Sequence, residues 1–335
     1  MYETRDEFSA AVERADAAFG AEAGLLHALF LLDSMRLCRA RHAARGVPPE
    51  VTRAVNARHA AAWLQGALRS TGSIAIERWL PVWFRLVASG ELHRLGRLEF
   101  VPEPWEYPFR AYVNRDTGET VLLAESGLSC SSDGQLDGPA AFETRLDESP
   151  RRVTGHPVSP RGFILNRRVR LGTDAWQSVL VKDQRVLDLH VPAEGELSIP
   201  ALTSAFADAE SYFDHYYPEA PFVAFICDSW LFSTQLEAML RSDSNILAWQ
   251  HQGYLFPSEG GHGAFLNFTF GSREVDPDTA PRNTRLRRAV VAHLKRGERL
   301  RGGAWLLLRR DLKRFGSLPY RATSEIAIAR HLLAT

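Results

Sequence analysis

Residues 185–230 constrain the fold of this chain more than any other stretch. Residues 185–191 alternate apolar and polar side chains, the period of a strand. After a turn at residues 192–198, Leu202, Ala205, Phe206, Ala209, Phe213 and Tyr216 recur at helical spacing. Ser198 can cap that helix and Pro200 is tolerated in its first turn, while Pro218 and Pro221 stop it. Residues 222–230 then form a near-continuous apolar run, the pattern of a strand buried on both faces. A short helix is predicted over 234–240, and two further strands over 246–255 and 264–270 joined by a turn at 257–263. The order strand, helix, strand, helix, strand, strand predicts an α/β (α+β) domain with a mixed sheet.

The residues before it read differently. Residues 5 to about 90 carry helical patterns over 21–45, 51–68 and 76–87. The first has an apolar face of Leu25, Leu29, Leu32 and Met35, and the third contains Trp79, Trp83 and Phe84. From about Leu95 the texture changes, with a strand at 96–101 and a hairpin over 111–124 around Asp116, Thr117 and Gly118. Residues 127–154, rich in Ser, Gly and Asp, read as a loop insertion.

Composition excludes several classes. Forty basic and forty acidic side chains cancel, so there is no global polyanion-binding charge and nucleic acid is not an expected partner. The longest apolar run, residues 25–32, is too short for the roughly 20 residues of a membrane span. Residues 1–16 lack the basic start of a signal peptide, and the expectation is a cytoplasmic protein with no membrane partner. Cys38, Cys130 and Cys227 are isolated, and the eleven histidines show no metal-ligand spacing, so no metal is expected. Phosphate-loop, zinc-protease and calcium-loop motifs are missing. Gly127-Leu128-Ser129-Cys130-Ser131 starts like a nucleophile elbow but lacks the second glycine.

Several segments carry a resemblance. They are Arg45-Gly46-Val47-Pro48, Arg94-Leu95-Gly96-Arg97-Leu98-Glu99-Phe100 and Gly155-His156-Pro157-Val158-Ser159-Pro160-Arg161-Gly162. Val186-Leu187-Asp188-Leu189-His190-Val191-Pro192, Cys227-Asp228-Ser229-Trp230-Leu231, Asp243-Ser244-Asn245-Ile246 and Leu286-Arg287-Arg288-Ala289-Val290 continue the series. Together they resemble a bacterial acyltransferase family that joins a helical N-terminal domain to a GNAT-like C-terminal domain. The resemblance implies a helical domain over 1–93, a GNAT-like mixed-sheet domain over 94–308 and a C-terminal extension over 309–335. It also implies acyl-CoA or acetyl-CoA as co-substrate, and an acyl group moved to a small-molecule amine. An acyl carrier protein is the alternative thioester donor. The rival reading is a non-catalytic binding module on the same scaffold.

In a GNAT fold, CoA lies where two central strands separate, and its pyrophosphate meets backbone amides before the following helix. The equivalent loop here contains Val191, Ala193, Gly195, Leu197 and Ser198 as candidate cofactor contacts. It lacks the usual leading Gln or Arg, and Glu194 and Glu196 add negative charge. His190, at the strand end, is the candidate general base or else a hydrogen-bonded structural histidine. Asp228 and Ser229 lie on opposite faces of the facing strand; Ser229 could bond a thioester or satisfy local backbone. Cys227, Trp230 and Trp249 read as packing, and His262 as part of a glycine-rich hairpin tip.

Charge is segregated. Residues 282–314 carry a net +10 and residues 187–243 a net −9. The basic segment is either a solvated helical face around Leu286, Val290 and Leu294 or an anion-attracting surface for CoA, a carrier protein or RNA.

Overall fold

The computed structural model describes residues 5–71, 81–192 and 194–333. The chain divides into two compact units. The first comprises Met1–Pro102, His190–Gly195 and Ser204–Pro221; the second comprises Glu103–Leu189, Glu196–Thr203 and Phe222–Thr335.

The first unit contains helices α1 (Arg5–Phe19), α2 (Ala23–Ala44), α3 (Pro49–Thr71) and α4 (Pro81–Ser89), then a hairpin of His93–Leu95 on Leu98–Pro104. The expected helices are present where the residues are described; Ile76 and Trp79 lie outside the described residues. The face of α2 differs from expectation. Leu25, Leu29 and Leu32 are 47%, 62% and 56% exposed, and the buried seam is Ala23, His27, Ala28, Leu31, Ser34, Cys38 and His42. That seam mixes small side chains with His27, Leu31 and His42. Cys38, Val55, Leu86, Val87, Leu92 and Val101 form the adjoining core. Gly96 makes the hairpin turn at φ +57°, with Ala205 only 3.4 Å from where a Cβ would stand.

The second unit holds two larger sheets. One is antiparallel, in the order Phe163–Ile164, Pro157–Ser159, Thr120–Ala124, Phe109–Asn114, Trp176–Leu180. Its predicted hairpin is present, and Asn114 Oδ1 accepts from the Asp116 and Thr117 amides to hold the turn. In the other, Arg185–His190 runs parallel to Ala224–Asp228, which pairs antiparallel with Ala304–Leu308, which in turn pairs with Tyr254–Phe256. Tyr254 ties the sheets together: its hydroxyl donates to the Val158 carbonyl at 2.5 Å and accepts from the Leu122 amide at 3.3 Å.

Three expectations are corrected. Residues 127–154 are not a plain loop: Ser129–Cys130 pairs with Phe142–Glu143, and Leu146–Ser149 with Arg152–Gly155. Residues 246–255 are not one strand, because Ser244 caps a helix over Asn245–Gln250 by accepting from the Ile246 amide. Gln250 is buried and donates to the Leu231 and Ser233 carbonyls, fixing that helix in place. Residues 264–270 belong to a helix, His262–Phe270, rather than a strand, so His262 opens a helix rather than sitting on a hairpin tip. Its Nδ1 accepts from the Leu300 amide at 3.1 Å.

The fully buried strand Ala304–Leu308 and the helix Arg321–His331 have no counterpart in the sequence reading. Ala327 and Ile328 of that helix join Tyr112, Val121, Leu123, Val169 and Trp176 in one apolar cluster. Gly303, just before the buried strand, stands where a Cβ would lie 2.2 Å from the Phe232 carbonyl oxygen. Gly303→Ala is expected to cost about 2 kcal/mol of unfolding free energy in a urea titration, and an unchanged midpoint would refute this packing.

Candidate functional site

The parallel pair at the centre of the second unit is short. Its register covers Leu187 with Phe225 and Asp188 with Ile226. One residue on, the Leu189 carbonyl accepts from a side chain, the Cys227 thiol, at 3.1 Å. Burial pushes that thiol's pKa well up, and the charges of Asp188 and Asp228 push it further, so it stays protonated and packs rather than reacts.

Around this strand end the second unit gathers polar groups. Asp228 closes the Ala224–Asp228 strand; its Oδ1 accepts from Ser258 Oγ at 3.0 Å, and Tyr107 Oη lies 3.5 Å from its Oδ2. The residue is exposed, yet the protein around its carboxyl raises the pKa against the lowering effect of those two hydroxyls. Asp188 is half-buried, and burial together with repulsion from Glu103 holds its carboxyl well above the usual range. Burial, then the Asp228 and Asp188 carboxylates, raise the Tyr107 phenol, which therefore remains a proton donor. Tyr107 is fixed by rings: Trp105 and Phe256 lie 5.1 and 5.2 Å away, centroid to centroid. The arrangement can take a proton on a carboxylate with a raised pKa and supply one from a phenol.

Ser229, the auxiliary polar group expected from sequence, is engaged with nearby backbone. Its hydroxyl accepts from the Leu231 amide at the head of a short 3-10 helix, and its amide donates to the Gly303 carbonyl. That is the local-backbone role. Trp249 is buried against Phe232 and Trp305, as read from sequence, whereas Trp230 is half-buried and stacks on Phe265 and the exposed Phe268. The basic 285–295 helix makes its ion pairs close by in sequence: Lys295 with Asp278, and Arg296 with Glu298.

His190 belongs to the first unit. Its ring meets Trp83 edge to face at 4.7 Å. Burial lowers its pKa to about 4, against the raising effect of Glu99, so the imidazole is neutral at pH 7 and weakly basic. Glu99, 3% exposed, is ion-paired with Arg58 at 3.1 Å, His59 at 3.4 Å and Arg94 at 3.7 Å. Burial opposes its ionisation, but His59 and Arg58 outweigh it and hold the carboxyl below its usual range.

The loop after His190 is the other candidate element. Glu194 is ion-paired with Arg58 and, at 3.0 Å, with Arg94. Gly195 has φ +88°, and a Cβ there would stand 3.1 Å from Arg97 Cδ, so the Arg97 side chain lies against the bare backbone. Val191 and Gly195 lie in the first unit and Leu197 and Ser198 in the second, while Ala193 lies outside the described residues.

Of this cluster the sequence reading named Asp228; Tyr107, Ser258, Asp188 and Glu103 were not among its candidates. Asp188 had a signal, since it stands two residues before His190 on an alternating strand. Tyr107, in a proline-flanked segment, had none. Among the described residues no group of three or more His, Cys, Asp or Glu side chains is placed to hold a metal ion. None of the described helices is long and apolar enough to cross a membrane.

Residues 92–306 match a known family, the GNAT-like C-terminal domain. No curated protein matches the chain. Among solved structures, an acyltransferase in complex with CoA and 10C-teicoplanin is 22% identical, with 86% of this chain and 68% of that one covered at a TM-score of 0.54. One in complex with decanoyl-CoA is 22% identical, with 86% and 67% covered at 0.55. Another, with decanoyl-CoA and teicoplanin, is 21% identical, with 91% and 76% covered at 0.56.

The depressed His190 pKa links folding to pH. Between pH 6.5 and about 4 the unfolded chain binds a proton that folded His190 refuses, so its contribution to stability is lost as pH falls through that window. His190→Gln should remove about 2 kcal/mol of the stability lost between pH 7 and pH 5, measured by urea unfolding; a pH dependence identical to the parent's would refute a neutral buried imidazole.

Proposed function

The chain belongs to the GNAT-like C-terminal domain family, and from that premise we propose that it transfers an acyl group from acyl-CoA to an amine of a small-molecule acceptor. The observation that carries this reading is the parallel pair that ends at Asp188 and Ile226 with a thiol on the next carbonyl. A strand pair that opens there offers backbone groups to a pantetheine arm, and carboxylates and a phenol stand at the same strand end. The bound CoA and acyl-CoA of the structural relatives support the choice of thioester.

The amine nitrogen attacks the thioester carbonyl, the C–N bond forms and the C–S bond breaks. The proton lost by the amine passes to a carboxylate, for which Asp228 is the leading candidate; its raised pKa brings it nearer the amine it must deprotonate. The departing thiolate takes a proton, for which Tyr107 is the candidate donor, and the proton that Asp228 took from the amine returns to the phenol oxygen across their 3.5 Å contact. His190, the base suggested by sequence, is neutral but weak, and a role in positioning suits it better than proton abstraction. Val191, Gly195, Leu197 and Ser198 are the proposed backbone contacts of the cofactor. CoA is the proposed donor in preference to a carrier-protein thioester.

The rival reading, a non-catalytic module, is motivated by a loop that lacks the leading Gln or Arg and carries Glu194 and Glu196; ion pairing of Glu194 with Arg58 and Arg94 offsets one of those two charges.

Asp228→Asn should lower kcat about 100-fold with little change in KM for acyl-CoA. The parent's kcat/KM should fall as pH drops through the raised Asp228 pKa. Thiol release from acyl-CoA with an amine acceptor measures both; an Asn variant as fast as the parent would remove Asp228 from the reaction.

A further inference from the structure

We propose that α2 pairs antiparallel with α2 of a second copy of this chain, through a leucine stripe on the side of the helix that the first unit does not bury. Glu22, Leu25, Leu29, Leu32, Arg36 and Arg39 recur at alternating steps of three and four residues, the spacing of a coiled-coil seam. All six are exposed, the three leucines by 47%, 62% and 56%. Glu22, the N-cap of α2, already has right-handed helical backbone, so the stripe runs through it without a break. The buried seam of Ala23, His27, Ala28, Leu31, Ser34, Cys38 and His42 falls at the positions between and faces the other way. One helix therefore carries two apolar faces, and the unit's own core uses only one of them. Phe19, which closes α1 just ahead of the stripe, is 55% exposed as well. Single exposed leucines need no explanation, whereas three in register form a contiguous patch.

Charge along the stripe selects both the occupant and its direction. The N-terminal end is acidic at Glu22 and the C-terminal end is basic at Arg36 and Arg39. In a parallel pair each seam residue meets its own copy, which sets acid on acid at one end and arginine on arginine at the other. An antiparallel pair about a two-fold axis between residues 30 and 31 removes both conflicts. It sets Leu29 against the partner's Leu32, Leu25 against the aliphatic stem of the partner's Arg36, and Glu22 against the partner's Arg39. The Arg36 guanidinium is held one turn along its own helix by Asp33 at 2.8 Å, so its charge stays answered while its stem packs. The stripe is thus complementary to itself in the one arrangement that a two-fold axis makes. With 22 residues, α2 is about 33 Å long, and one helix laid on another is a small interface that gives a weak, concentration-dependent dimer.

Sedimentation velocity on the full chain, over roughly 1 to 100 μM, tests the pairing. The parent should move from monomer towards dimer as concentration rises. Leu29→Glu should stay monomeric across the range, because the leucine pairs at the centre of the seam are lost. Glu22→Arg and Arg39→Glu should each weaken association about tenfold by facing like charges across the pair. The two together should restore it, since antiparallel pairing then rebuilds both ion pairs with their signs exchanged. All three positions are exposed, melting temperatures check that each variant is folded, and the charge-exchange set stands on its own should Leu29→Glu be unstable. A parent that is monomeric throughout overturns the proposal and leaves the stripe to a different partner. Association of Leu29→Glu equal to the parent's overturns it too, by placing the contact elsewhere. A double variant no better than the single ones overturns the antiparallel arrangement.

Discussion

The polar cluster of the second unit depends on one backbone event, the short parallel pairing of Arg185–His190 with Ala224–Asp228. A parallel pair needs a crossover, and the Ile199–Tyr216 helix supplies it with Leu202, Ala205, Phe206 and Ala209 fully buried. The pairing covers two residues on each strand, and then the Leu189 carbonyl turns to a thiol. Every polar group argued to matter in the second unit stands near that end: Asp188 and Asp228 on the strands themselves, Ser258 and Tyr107 on flanking loops. Ala304–Leu308, buried along its length, braces the Ala224–Asp228 strand from its other side.

Electrostatics divides the functional groups into two chemistries. In the second unit the protein around the Asp228 carboxyl raises its pKa, and burial with repulsion from Glu103 raises that of Asp188, which suits proton acceptance. In the first unit arginines accumulate around Glu99 and Glu194 and help to hold both carboxyls ionised. The neutral total charge of the chain conceals both. The +10 net charge of residues 282–314, which drew attention in the sequence, is answered in part by nearby acids such as Asp278 and Glu298.

The strand–helix–strand core was legible because its periodicities are unmixed: alternation, then helical spacing, then a continuous apolar run. The 246–270 region was misread because its helices are short and rich in apolar residues, so residue pattern alone cannot separate them from strands. The face of α2 was misread because size and burial part company there: Ser34, Cys38 and His42 pack inward beside Leu31 while Leu25, Leu29 and Leu32 face out. At the site, Asp228 was found from its place on a strand, but Ser229 proved to cap a turn. Tyr107 and Ser258 reach Asp228 from 121 and 30 residues away in sequence, a convergence that no local pattern encodes. Glu194, read as negative charge on the loop, is ion-paired with Arg58 and Arg94, the first 136 residues distant, which no local pattern encodes.

Hydrogen–deuterium exchange with and without acyl-CoA tests the central claim most directly, because it reports both binding and its location. The account predicts that acyl-CoA slows exchange of the amides from Leu189 to Ser198 and around Asp228, leaving the Phe109–Asn114 and Thr120–Ala124 hairpin unchanged. Exchange unaltered throughout the chain at saturating acyl-CoA, or protection confined to residues elsewhere, would contradict it.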